Sequence, residues 1–99
     1  MTFYIAGKMS GLPDLGRAKF NAAARFLRSK GHIVLNPAEL PDGMPRENYL
    51  PICLAMVSAA DAVLALSDWE YSEGAKVEVR FARYQGKQLF LFEDERDVF

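Results

Sequence analysis

The stretch A-V-L-A-L-S-D-W-E-Y-S-E-G-A-K-V-E, Ala62 to Glu78, decides how this chain is read. It closes a short β-rich apolar run at Leu66, crosses a polar and aromatic loop, and opens a helix at Glu73 that extends to about Gln85. Working outward, the same alternation repeats. Phe3 to Ala6 reads as a strand, about Asp14 to Lys30 as a helix, Ile33 to Leu35 as a strand, a helix ends near Ala60, and Leu89 to Phe92 closes as a strand. Strands alternating with helices predict an α/β domain in which four parallel strands are joined by crossover helices. The first helix has Asp14 as its expected N-cap, Arg28 and Lys30 in its last turn, and Gly31 as its stop. Its apolar positions form two stripes, Gly16, Phe20, Ala23, Leu27 and Ala18, Ala22, Phe26, wider than one sheet contact needs. Asn36 to Pro45 is a long loop at the carboxyl end of the second strand, and Pro51 obscures the start of the second helix. No repeat or linker is found, so residues 1–99 form one domain, with the acidic end Glu93 to Asp97 read as a frayed tail. Four parallel strands leave edges and helix faces poorly covered, which predicts a homodimer or higher homo-oligomer.

The totals exclude several classes. Of 99 residues, 51% are apolar and 25% charged, enough for one core. A net charge of -1 lacks the basic excess that a nucleic-acid polymer demands. The most apolar segment, Ile52 to Leu66, is interrupted by Ser58 and Asp61 and is shorter than the ~18 residues of a membrane span. The N-terminus has no basic leader before its apolar run, so no signal peptide is expected. One cysteine, Cys53, cannot form an internal disulfide, and one histidine, His32, does not make a zinc site of the usual composition. A cytoplasmic protein without metal or cofactor is the expectation. His32 lies at the entry of its strand and reads as structural.

In open parallel sheets, ligands bind beyond the carboxyl ends of the strands. Three segments converge there: Gly7-Lys8-Met9-Ser10-Gly11, the loop from Asn36, and Ser67 to Ser72. The first could approach a phosphate closely, yet it matches neither G-x-G-x-x-G nor the P-loop, and it reads equally as a tight strand-to-helix turn. On a wheel of ~100° per residue, Gly74, Ala75, Phe81 and Ala82 fall within about 60° of Glu78, while Lys76, Arg80, Arg83 and Lys87 take the opposite, solvated side. Glu78 has Phe81 and Ala82 at i+3 and i+4, so no cation of its own helix pairs with it. It is either a functional carboxylate held among apolar groups or a solvated one on an overhanging turn. Ser72 suits the N-cap of this helix and Gly74 leaves its N–H groups approachable. Trp69 and Tyr71 could stack on a base or fill a dimer contact.

Y-I-A-G-K-M-S-G at Tyr4 to Gly11, A-D-A-V-L-A-L at Ala60 to Leu66 and S-E-G-A-K-V-E at Ser72 to Glu78 together resemble the nucleoside 2-deoxyribosyltransferase superfamily, with its deoxynucleoside monophosphate N-glycosidases, and most of all its short phage and bacterial members. The resemblance implies a flavodoxin-like, Rossmann-like three-layer sandwich with strand order 2-1-3-4. It also implies a dimer acting on the N-glycosidic bond of a nucleoside or nucleotide. By resemblance, Glu78 is the nucleophile and Tyr4 orients it. The transferases carry aspartate where this chain has Ser72, and the monophosphate glycosidases carry a serine that contacts the 5'-phosphate, which favours a nucleotide. One position departs. Where the family usually has an aspartate that handles the leaving base, this chain has Cys53, which also fits the apolar stripe Tyr49, Cys53, Met56, Val57, Ala60. A neutral thiol does a carboxylate's acid–base work poorly. The expectation is therefore a hydrolase or transferase, with a nucleotide-binding or interaction protein that has lost the chemistry as the alternative.

Overall fold

The computed structural model describes residues 1–92, so the acidic tail read at 93–99 lies outside the described residues. The chain runs β1 (Thr2–Ala6), α1 (Arg17–Ser29), β2 (Ile33–Leu35), α2 (Tyr49–Ala59), β3 (Ala62–Leu66), α3 (Glu73–Tyr84) and β4 (Gln88–Phe92). Short 3-10 turns precede α1, α2 and α3, and another follows β2. The four strands form one parallel sheet in the order β2-β1-β3-β4, with Tyr4 beside Leu35 on one flank and Val63 on the other.

Strand side chains alternate between faces, and that parity builds two half-cores. Phe3, Ile5, Leu64 and Leu66 pack with Phe20, Ala23 and Leu27 of α1 on one side. Tyr4, Ala6, Val63 and Ala65 pack with Val57 of α2 and Ala75, Val79 and Ala82 of α3 on the other. The first stripe expected of α1, with Phe20, Ala23 and Leu27, is the buried one, whereas Ala18 is exposed and Phe26 half-buried.

Element ends differ from expectation where the backbone takes left-handed conformations. Asp14 is not the N-cap of α1. It sits in a 3-10 turn over Pro13–Gly16 with φ 49°, followed by Leu15 at 55°, and the helix starts only after Gly16, at φ 69°. The Asp14 carboxylate instead accepts from Arg17 at 2.7 Å. Gly31, at φ 86°, ends α1, and the His32 N–H reaches back to the Leu27 carbonyl at 3.2 Å, which satisfies a terminal acceptor. Pro51 is accommodated because α2 begins at Tyr49, so its missing N–H falls in the first turn, where no intrahelical partner exists.

Candidate active site

The crossovers that flank β1 and β3 leave on opposite faces of the sheet, so the loops after these two strands part and open a crevice between them. A cleft of about 830 Å³ occupies this position. Its walls come from the loop after β1, the loop after β2 with the start of α2, and the start of α3.

Glu78 forms part of the cleft wall and is only 7% exposed. The overhanging, solvated arrangement is therefore not the one adopted, because the second turn of α3 lies against Tyr4 of β1 and Cys53 of α2. Tyr4 is 1% exposed and Cys53 7%. The Tyr4 hydroxyl and the Cys53 thiol both hydrogen-bond toward the carboxylate. Burial pushes the Glu78 pKa up from 4.5 to about 7, and these two donors keep it from going higher. Burial also pushes Cys53 up to about 11, opposed by the neighbouring Tyr4 hydroxyl and reinforced by the negative charge of Glu78. The Tyr4 hydroxyl is raised well above its ordinary value, first by burial and then by Glu78. At neutral pH both neighbours are thus proton-bearing donors, and the carboxyl holds its proton to higher pH than an ordinary glutamate.

Loops are fixed to one another around this centre. Asp68, in the loop after β3, accepts from the Lys8 N–H at 3.0 Å and pairs with Lys19 of α1. Burial alone would raise its pKa, but the Lys19 and Lys8 hydrogen bonds outweigh it and leave it lowered. The Ser72 hydroxyl accepts from the Ala75 N–H at 3.1 Å and caps α3 at the cleft wall. Across the opening, Arg17 joins Asp14 and Asp42. The Tyr49 hydroxyl donates to the Pro41 carbonyl at 2.7 Å and accepts from the Met44 N–H at 3.3 Å, which ties down the long loop.

Of the residues singled out in the sequence, Gly7, Lys8, Met9, Ser10, Tyr71, Ser72, Gly74 and Glu78 line the cleft, with Tyr4 directly behind Glu78. Three are placed elsewhere. Asn36 is buried, accepting from the Ala38 N–H and donating to Asn21, both at 3.0 Å, so it shapes the turn after β2. Trp69 packs under α3 and faces a separate groove with Lys76, Arg80 and Arg83. Gly11 lies outside the cleft wall and supplies a turn at φ 82°. Gly7 is needed for packing as well, because an added Cβ would come within 2.9 Å of Leu66. Sequence reasoning missed Arg17, Asp42, Arg46 and Tyr49 as cleft residues. The long Pro-rich loop after β2 was the available signal. Cys53, read as a structural cysteine, belongs both to the apolar cluster and to the cleft. Asp61 caps the opposite end of the sheet, accepting from the Thr2 N–H at 2.8 Å, and His32 meets the Met1 amino group and Phe3 there. Among the described residues, no three His, Cys, Asp or Glu side chains are grouped to hold a metal, and no helix is long and apolar enough to cross a membrane.

The family model described as Domain of unknown function (DUF4406) matches residues 1–91. No curated protein matches the sequence. Among solved structures, the 2-desoxiribosyltransferase from Leishmania mexicana is similar with a TM-score of 0.74 and 28% identity, over 92% of this chain and 63% of that one. This chain therefore spans less than two thirds of that protein's length. The Clostridium botulinum CMP N-glycosidase BcmB shares the fold with a TM-score of 0.69 at 20% identity, over 92% of this chain and 70% of that one. The chain belongs to the DUF4406 family, a short α/β domain of the nucleoside 2-deoxyribosyltransferase-like superfamily.

Proposed function

We infer that the protein breaks or exchanges the N-glycosidic bond of a nucleoside or nucleotide, with Glu78 as nucleophile. The observation that carries this reading is a buried carboxylate on a cleft wall, hydrogen-bonded by Tyr4 and Cys53 and set at the switch point of the sheet. A carboxylate so placed can attack the anomeric carbon as the base departs, giving a glycosyl ester that water or a second base then resolves, as in retaining sugar hydrolysis. Tyr4 orients the carboxylate. The Ser72 hydroxyl, with the loop from Gly7 to Ser10, receives the 5' end, and Tyr71, exposed at the rim, offers a face to the base. The solved relatives are named for deoxyribosyl transfer and for CMP N-glycosidic cleavage, which supports a nucleoside or nucleotide as the small-molecule partner. Incubation with a panel of deoxynucleosides and nucleotides, followed by chromatography of free base, tests the assignment. Base release that disappears in Glu78→Gln is expected; undiminished release in that variant overturns Glu78 as nucleophile.

A second reading is favoured by Cys53, which stands beside Glu78 in place of a carboxylate: a nucleotide-binding protein without turnover. It predicts saturable binding by calorimetry with no base released on prolonged incubation.

A further inference from the structure

A neutral base leaving a sugar carries the bonding electron pair onto a ring nitrogen and must gain a proton, and a positioned general acid is worth about 10²–10⁴ in rate. The side chain that α2 places beside Glu78 on the cleft is Cys53, a poor acid because burial raises its thiol to about 11. Tyr4 is buried behind the carboxylate and donates toward Glu78 itself. The remaining carboxylates on the cleft are engaged or peripheral. Asp42 is paired with Arg17, Glu73 pairs with Lys76 at 3.0 Å and is 90% exposed, and Glu47 is exposed on the turn before α2. Among the described residues, Glu78 also lacks a counter-ion. Among the described residues, the groups that act on it are Tyr4 of β1 and Cys53 of α2, both neutral, while the cations of α3 lie on the far side around a different groove.

One substrate property supplies both missing functions. A base that already bears a positive charge departs as a neutral molecule without a proton, and before it departs it places a cation next to the unpaired carboxylate. Bringing that charge near Glu78 favours the ionised, nucleophilic form. We propose that the substrate is a nucleoside or nucleotide whose base carries a fixed positive charge, an N-alkylpyridinium or an N7-alkylpurine, the proposal resting on the N-glycosidic reading of this site. In the first step the C1'–N bond breaks with its electron pair going to the ring nitrogen, and a Glu78 carboxylate oxygen bonds to C1'. The cationic glycoside and the carboxylate become a neutral base and a neutral ester. In the second step, water bonds to C1', the C1'–O bond to Glu78 breaks, and the water proton passes through the carboxylate to solvent.

Matched pairs test the proposal: guanosine 5'-monophosphate against its N7-methyl derivative, and reduced against oxidised nicotinamide mononucleotide. The members of each pair differ mainly in the fixed charge on the base. Release from the cationic members is expected to be faster by at least about 100-fold, the scale of a missing general acid. Release confined to one pair supports the proposal and identifies the ring type. Equal or slower release from the cationic members overturns it while leaving the N-glycosidic reading intact; release from none of the four also overturns it, and the N-glycosidic reading is then decided by the deoxynucleoside and nucleotide panel. Cys53→Asp is expected to raise release from the neutral members and narrow the preference at least about tenfold; an unchanged preference in a folded variant counts against the proposal. The wild-type comparison stands without the variant should Cys53→Asp fail to fold.

Discussion

At the scale of single residues, Glu78 links stability and activity through one proton. Its folded pKa, about 7, lies above the ordinary 4.5, so the folded state holds the proton more tightly than the unfolded chain. The associated stability is complete below about pH 4.5 and is lost as pH rises through about 7. At ~1.4 kcal/mol per pH unit, that interval corresponds to roughly 3 kcal/mol. Urea unfolding of Glu78→Gln should therefore show a flatter pH dependence than wild type between pH 4.5 and 8, with the variant gaining relative stability toward the alkaline end. Activity should move the opposite way. If Glu78 acts as the proposed nucleophile it does so in the ionised form, and kcat/KM should rise with pH through about 7 and level off above it. Removing either donor, in Tyr4→Phe or Cys53→Ala, should shift that rise to higher pH by about one to two units, because a hydrogen bond to a charged group contributes about 1.5–3 kcal/mol. An unshifted pH–rate profile in both variants would show that neither side chain supports the carboxylate.

At the scale of elements, the first turn of α3 combines a structural duty with a proposed recognition duty. Ser72→Ala should lower stability by about 0.5–2 kcal/mol through loss of the cap, measurable by denaturant titration. Ser72→Asp keeps a capping acceptor but places a negative charge where a 5'-phosphate is proposed to sit. Its KM should rise at least about tenfold for nucleoside monophosphates while that for the parent nucleosides changes little; equal effects on both would remove Ser72 from phosphate recognition. The junction between β1 and β3 is similarly constrained. Gly7→Ala drives a methyl group into Leu66, and an overpacking cost of about 1–3 kcal/mol is expected in thermal or urea unfolding.

For the whole molecule, β2 and β4 are the edge strands of the sheet among the described residues, and Ile33 on β2 and Leu91 on β4 are 65% and 54% exposed. Homodimerisation remains a proposal; sedimentation equilibrium should give twice the chain mass at micromolar concentration, and a monomer at all concentrations would exclude it. Much of the architecture was readable in advance. The apolar run Ala62 to Leu66 and the wheel of α3 place β3 and α3 almost to the residue, because strand and helix periodicities are written in neighbouring positions. Asp14 misled because it is itself part of a left-handed turn, and a preference for capping does not reveal the backbone conformation the residue adopts.

The site was only partly readable, for a physical reason. Sequence alone determined that Glu78 lies on an apolar helix face without a cation of its own helix, since that depends on spacing within α3. Tyr4 and Cys53 were brought to Glu78 only by resemblance, not by spacing, and nothing in the sequence revealed that Trp69 turns to the other side of α3 or that Asp68 joins two loops through Lys8 and Lys19. Those contacts join residues far apart in the chain. They exist because strand parity points Tyr4 to the same face that receives both α2 and α3, and that pairing of elements across the sheet was decided by the tertiary structure.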